Sequence, residues 1–180
     1  MSAAKTQPLK GTSTMATAER AVVDAVKSRA GKYLTFGLAK ESYGLEILKV
    51  REIIGLMAIT AVPRTPGFVK GVINLRGKVI PVVDLRLKFG MAEAQHTEET
   101  CIIVVNVGQI EMGIIVDKVS EVLNIAGEDI EDPPAFGDQV NTDFILGMGK
   151  GGGQVTILLD IDRVLLAEDV SVLRQIQSQV

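Results

Sequence analysis

The sequence has no tryptophan, one cysteine and one histidine, and aromatic residues make up only 4% of it. One cysteine excludes a disulfide framework and fits a reducing compartment. Cys101 lies in the apolar run Cys101-Ile102-Ile103-Val104-Val105, where a thiol serves as packing. His96 sits in a polar, acidic stretch without cysteine partners for a metal or a nucleophile for a triad. Most hydrolytic, redox and zinc chemistries are thereby removed, and no cofactor is expected. Clustered basic residues are also missing, with a net charge of −3, so nucleic acid is not an expected partner. The start of the chain lacks the apolar core of a signal peptide and no stretch reaches the length of a membrane span, so a cytosolic location without direct membrane contact is expected.

What is present is aliphatic. Hydrophobic residues form 47% of 180 residues, and with few aromatics the core must be valine, isoleucine and leucine, which favour strands. Residues 1–15 are small and polar and expected to be disordered. Residues 17–30 have a narrow apolar stripe (Val22, Val23, Val26, Ala30), with Glu19 in the first turn and Gly31 placed to cap a short helix. From Lys32 the period becomes two. Leu34, Phe36 and Leu38 alternate with polar or small residues, and a turn at Lys40-Glu41-Ser42 leads to Tyr43–Ile47, a hairpin. A second hairpin joins Gly71–Leu75 to Lys78–Val83 through Arg76-Gly77, where Gly77 supplies the positive φ of a tight turn. Pro81 cannot donate to a ladder and should lie at an edge or bulge. Asp84 reads as the N-cap of a short helix, Leu85–Phe89, closed by Gly90. Residues 91–99 form a polar linker, and Val172, Leu173, Ile176 and Val180 give 167–180 a helical apolar face.

The chain repeats itself. At an offset of 69, Gly44–Ile54 falls on Gly113–Leu123, with Gly44/Gly113, Lys49/Lys118, Val50/Val119 and Glu52/Glu121 identical. At an offset of 76, Phe68–Leu85 falls on Phe144–Ile161, with Phe68/Phe144, Gly71/Gly147, Gly77/Gly153, Val79/Val155 and Asp84/Asp160 identical. The difference places a seven-residue insertion in the loop around Asp132-Pro133-Pro134. Two copies of a hairpin–strand–hairpin unit predict an all-β protein of two small barrels, at 32–90 and 100–166, with a 1–31 tail and helix, a 91–99 linker and a 167–180 helix. Units this small bury too little surface alone, so they should share an apolar layer, with a binding groove between them.

Other constellations divide into chemistry and turn geometry. Gly147–Gly153 contains Gly149-Lys150, but Gly151 follows where a phosphate loop needs serine or threonine for magnesium. The repeat lays this run over the Arg76-Gly77 turn, so a hairpin is expected. Glu128, Asp129, Glu131 and Asp132 lack the spacing of a calcium loop and read as a solvated acidic loop. Phe136 is either an interface anchor in a Pro-rich loop or a side chain tucked onto its own barrel. Arg76 has only Gly152 as its counterpart, so its role is specific to one half.

The run Gly71-Val72-Ile73-Asn74-Leu75-Arg76-Gly77-Lys78-Val79-Ile80-Pro81-Val82-Val83-Asp84-Leu85-Arg86 resembles the CheW coupling proteins of bacterial chemotaxis, as do Tyr43–Ile53, Thr65–Phe68 and Gly113–Val119. The resemblance covers about Tyr33 to Leu166. It implies two five-stranded, SH3-like barrels and an adaptor, not an enzyme, that links transmembrane chemoreceptors to the histidine kinase CheA in membrane arrays. By position it implies that Val50, Glu52, Asn74, Leu75 and Arg76 meet the receptor's cytoplasmic tip. Lys70, Gly71 and Phe136 are then the kinase-side residues, facing the CheA regulatory domain. Two rivals are a CheW-like module of another sensory or motility pathway and a small nucleotide-binding enzyme built on Gly147–Gly153. A pair of polyproline-binding SH3 domains is disfavoured, because two tyrosines and no tryptophan cannot line two aromatic grooves.

Overall fold

The computed structural model describes residues 15–21, 29–137 and 141–165. Its strands are β1 (Gly31–Leu38), β2 (Glu41–Glu46), β3 (Val50–Gly55), β4 (Val69–Leu75), β5 (Lys78–Asp84), β6 (Cys101–Val107), β7 (Ile110–Val116), β8 (Lys118–Ile125), β9 (Ile130–Glu131), β10 (Ile145–Gly151) and β11 (Gln154–Leu159). One-turn helices follow β5 and β11: α1 (Leu85–Lys88) and α2 (Ile161–Val164). Each opens on an aspartate. Asp84 accepts a hydrogen bond from the Leu87 amide, and Asp160 accepts from the Asp162 and Arg163 amides. The expected all-β architecture is present, as two sheets of five and six strands.

The internal repeat is reproduced in the ladders. Val50↔Val105, Ile53↔Ile103 and Ile54↔Ile102 join β3 to β6, while Val119↔Phe36, Val122↔Leu34 and Leu123↔Tyr33 join β8 to β1 at the same offset. The Asp84 amide bonds to the Phe68 carbonyl, and the Asp160 amide to the Phe144 carbonyl. Yet the sheets are assembled across the expected 32–90 and 100–166 boundary. Their orders are β3-β6-β7-β5-β4 and β8-β1-β2-β11-β10-β9. The leading hairpin of each half therefore sits in the sheet of the other half. Parallel pairing of β5 with β7, and of β11 with β2, makes the exchange reciprocal.

This exchange explains the core. Leu34, Phe36 and Leu38 of β1 and Ile103, Val105 and Val107 of β6 face one continuous cluster that also takes in Leu85, Ile161 and Leu165. The alternate residues of β6, Ile102 and Val104, face a small cluster inside the five-stranded sheet. Tyr33 faces a smaller one with Ile125, Ile130 and Leu158 inside the other. At roughly 2 kcal/mol per buried aliphatic side chain, the layer between the sheets is the principal source of stability, as the size argument expected.

Several local expectations take a different form. Pro81 lies one residue before the β5–β7 ladder begins at Val82, so its missing donor breaks no bond there. Gly31 is no helix cap but the first residue of β1, paired with Ile125. Residues 15–21 are helical, whereas 22–28 of the predicted 17–30 helix, residues 1–14 and the predicted 167–180 helix lie outside the described residues. Arg29 ties the chain entering β1 to the six-stranded sheet, donating to Asp132 at 2.6 Å and to the Leu146 carbonyl at 3.2 Å.

Candidate protein-interaction surface

The β4–β5 hairpin turns through Arg76 (φ 52) and Gly77 (φ 85), both left-handed, as a two-residue turn matched to strand twist requires. The Asn74 side-chain oxygen accepts from the Gly77 amide at 2.8 Å and braces the turn. Arg76 reaches across to β3, where its guanidinium holds both carboxylate oxygens of Glu52, one of them at 3.3 Å. Hydrogen bonding to Glu52, and then its charge, raises the Arg76 pKa further above its ordinary value. The pair is open to water, with the Arg76 side chain 71% exposed, so it adds little to stability. Beside it Glu111 bridges Arg51 at 3.4 Å and Lys78 at 3.3 Å. Leu75 and Val50 are half-buried and pack against the cores beneath. The five positions expected on the receptor side thus meet on one end of the five-stranded sheet, where Glu52 and Arg76, opposite in charge, are paired.

That end is not the groove between the halves. A cavity of about 520 Å³ there is lined by Lys88, Phe89, Asp143, Phe144 and Arg163, and none of the five residues borders it. The rings of Phe89 and Phe144, one from each half, lie 5.6 Å apart beside it.

The residues expected on the kinase side separate. Lys70 pairs with Glu93 of the linker. Gly71 is buried with φ 140, and a Cβ there would stand 2.0 Å from the Thr60 carbonyl oxygen. It serves the fold, admitting residue 60 to bond Val72 in both directions at 2.9 Å. Phe136 is 57% exposed, which removes the tucked-in alternative. The glycine run forms β10 and a hairpin turn at Gly152 and Gly153 (φ 63 and 78), and Lys150 pairs with Glu131. His96 is exposed, and burial pushes the Cys101 thiol up. Among the described residues no cluster of His, Cys, Asp or Glu could hold a metal, and no helix is long and apolar enough to cross a membrane.

Two contacts had no signal in either half taken alone. Asp117 accepts the Ala39 amide at the β1–β2 turn (2.8 Å) and the Arg86 guanidinium at 2.7 and 2.6 Å. At the repeat-related place, Asp162 accepts the Gly108 amide of the β6–β7 turn (3.2 Å) and Lys49 (2.6 Å). Each exchanged hairpin is therefore latched at its tip, and the charges are reversed between the copies. The signal was there in Arg86 and Asp162 falling at the same repeat position with opposite sign.

A two-sheet β fold with internal duplication, whose charged side chains gather on an exposed hairpin end, defines a class of protein-interaction modules. The CheW-like domain family matches residues 32–169, and the chain belongs to that family. It is 42% identical to the chemotaxis protein CheW of Klebsiella aerogenes over 78% of this chain and 84% of the relative. It is 29% identical to protein FrzA of Myxococcus xanthus over 74% of this chain and 84% of the relative. Among solved structures it is similar to the scaffolding protein TtCheW from Thermoanaerobacter tengcongensis, with a TM-score of 0.71 and 36% identity over 78% of this chain and 95% of that one.

Proposed function

We propose that this protein is the coupling adaptor of a chemotaxis system, joining the cytoplasmic tips of transmembrane chemoreceptors to the regulatory domain of the histidine kinase CheA. The reading rests on family membership over residues 32–169. The receptor side is the Glu52–Arg76 end with Val50, Asn74 and Leu75. The Lys70 and Phe136 surfaces serve the kinase, and Gly71 supports its side through the backbone it admits. The protein works in the cytoplasm, is held at the membrane only through its partners, and performs no catalysis. An adaptor of this kind raises kinase control by holding several weak contacts together, so that each linked site works at high effective concentration. Reconstitution tests this: kinase autophosphorylation is measured with receptor-bearing membranes, with and without the protein. Receptor control of the kinase should appear only when it is added. Equal control in its absence overturns the reading.

A further inference from the structure

Beneath the β10–β11 hairpin, a cavity of about 440 Å³ opens toward β8. It occupies, in the second copy of the repeat, the place held by the Glu52–Arg76 end in the first. There the space is covered by side chains: Arg76 on Glu52, and Arg51 and Lys78 on Glu111. The corresponding residues are Gly152, Ser120, Gln154 and Ser42, all shorter or uncharged, and all lining the cavity. Thr35 and Thr156 form its buried floor, in place of Val104 and Ile80.

One charge survives the change. Glu121 occupies the position of Glu52, and its backbone is pinned by the Thr35 hydroxyl, which donates to its carbonyl at 2.9 Å and accepts from its amide at 3.1 Å. Its arginine is absent, since Gly152 stands where Arg76 would be. Neither Glu121 nor Asp129 at the rim has an ion-pair partner among the described residues, while Lys150 is occupied by Glu131. The backbone beside it is open as well. Among the described residues β8 is an edge strand paired only with β1, and β9 pairs only with Met148 and Gly149, leaving the last residues of β10 without a described neighbour on that side.

We propose that this cavity docks an arginine side chain carried on an extended segment of a partner protein. The segment adds as a strand along the free edge of β8, and its guanidinium takes Glu121 as Arg76 takes Glu52. Arginine fits better than lysine because the intramolecular precedent is a fork holding both carboxylate oxygens. The site is independent of the receptor and kinase assignments above.

The test is a titration of the labelled full chain, followed by amide resonances, with a blocked heptapeptide of valine and threonine carrying a central arginine. Saturable shifts at Thr35, Glu121, Gly152 and Thr156 are expected. A twin peptide with citrulline, which keeps the shape and loses the charge, should bind about tenfold more weakly, as should the arginine peptide to Glu121→Gln. Gly152→Arg should fill the site from within and abolish binding. The turn can hold an arginine, since Arg76 adopts φ 52 where Gly152 has φ 63. If that variant fails to fold, Glu121→Gln decides alone. Shifts confined to the Glu52–Arg76 end, no saturable shift, or equal binding of the citrulline peptide overturns the proposal. A blocked single arginine binding as tightly as the peptide overturns the strand-addition part.

Discussion

The β4–β5 and β10–β11 hairpins share a register, a left-handed two-residue turn and the same place in their sheets. One nevertheless carries Arg76 locked on Glu52, and the other three successive glycines beside an open cavity. Where the copies agree, the residues hold the backbone: Phe68/Phe144 and Asp84/Asp160 make the same hydrogen bond in both halves. Where they diverge at the hairpin tips, charged side chains of one copy give way to glycine, serine and glutamine in the other, and Val104 and Ile80 beneath give way to Thr35 and Thr156. The two copies share a scaffold and differ in the side chains at its two ends.

The exchange of hairpins gives the strongest test of that shared scaffold. Residues 29–99 and 100–165 expressed separately should each fail to unfold cooperatively, because each would lack the hairpin that completes its sheet. Mixing them should restore a single cooperative transition by circular dichroism. Two independently folded halves would show that the interleaved sheets are not needed.

A smaller effect separates two matched glycines. A methyl group at Gly71 meets the Thr60 carbonyl at 2.0 Å with φ at 140, whereas at Gly147 it first meets the Ile130 side chain at 2.5 Å, without a positive φ. Gly71→Ala should cost about 3 kcal/mol and Gly147→Ala about 2 kcal/mol, since its backbone contact, the Glu131 carbonyl, is farther off at 3.0 Å and no positive φ adds strain. Denaturant midpoints at constant slope decide the order, and equal losses would erase the distinction.

The hairpin latches differ in burial. Asp117 and Arg86 are 30% and 19% exposed, against 39% and 37% for Asp162 and Lys49. Asp117→Ala should cost about 2 kcal/mol and Asp162→Ala about 1 kcal/mol. The Arg86 hydrogen bonds hold the Asp117 carboxyl below its ordinary 3.8. Its contribution is therefore complete above pH 3.8 and is lost as pH falls through the lowered value. Wild type should lose stability in that acid window more steeply than Asp117→Ala, by thermal melts across pH. Parallel acid profiles would remove Asp117 as the cause.

At the end proposed to meet the receptor, Arg76→Ala should weaken binding to receptor-bearing membranes on the order of tenfold, while kinase binding and the melting temperature stay near wild type. Equal loss of both partners would sink the division into separate surfaces. Glu52 and Arg76 were readable as candidates from the family resemblance, and their pairing from their opposite charge. The hairpins were readable from their period of two and the caps from Asp84 and Gly90. The exchange was not, since an offset between Gly44 and Gly113 reports similarity and not which strand pairs with which. Nor was the structural burden on Gly71, where the deciding atom belongs to Thr60, eleven residues away in sequence. The cavity was hidden for the same reason: it is made of what Gly152, Ser120 and Ser42 lack.

The smallest expected effect belongs to the seven-residue insertion of the second half. Phe136 lies in the loop that is seven residues longer in the second half, 57% exposed and followed by Gly137 at φ 94. Phe136→Ser removes no buried contact, so stability should change by less than about 0.5 kcal/mol. One-to-one binding to receptor or kinase should also hold, because other surfaces carry those contacts. An exposed aromatic on a loop is nevertheless suited to anchoring a further kinase contact, and its loss should act only where many copies are held together. Tagged protein in cells should then form smaller polar clusters, and the attractant dose-response of the kinase should flatten. Clusters and slope unchanged in the variant would leave the inserted loop without a part in assembly and return the contrast between the halves to their hairpin ends alone.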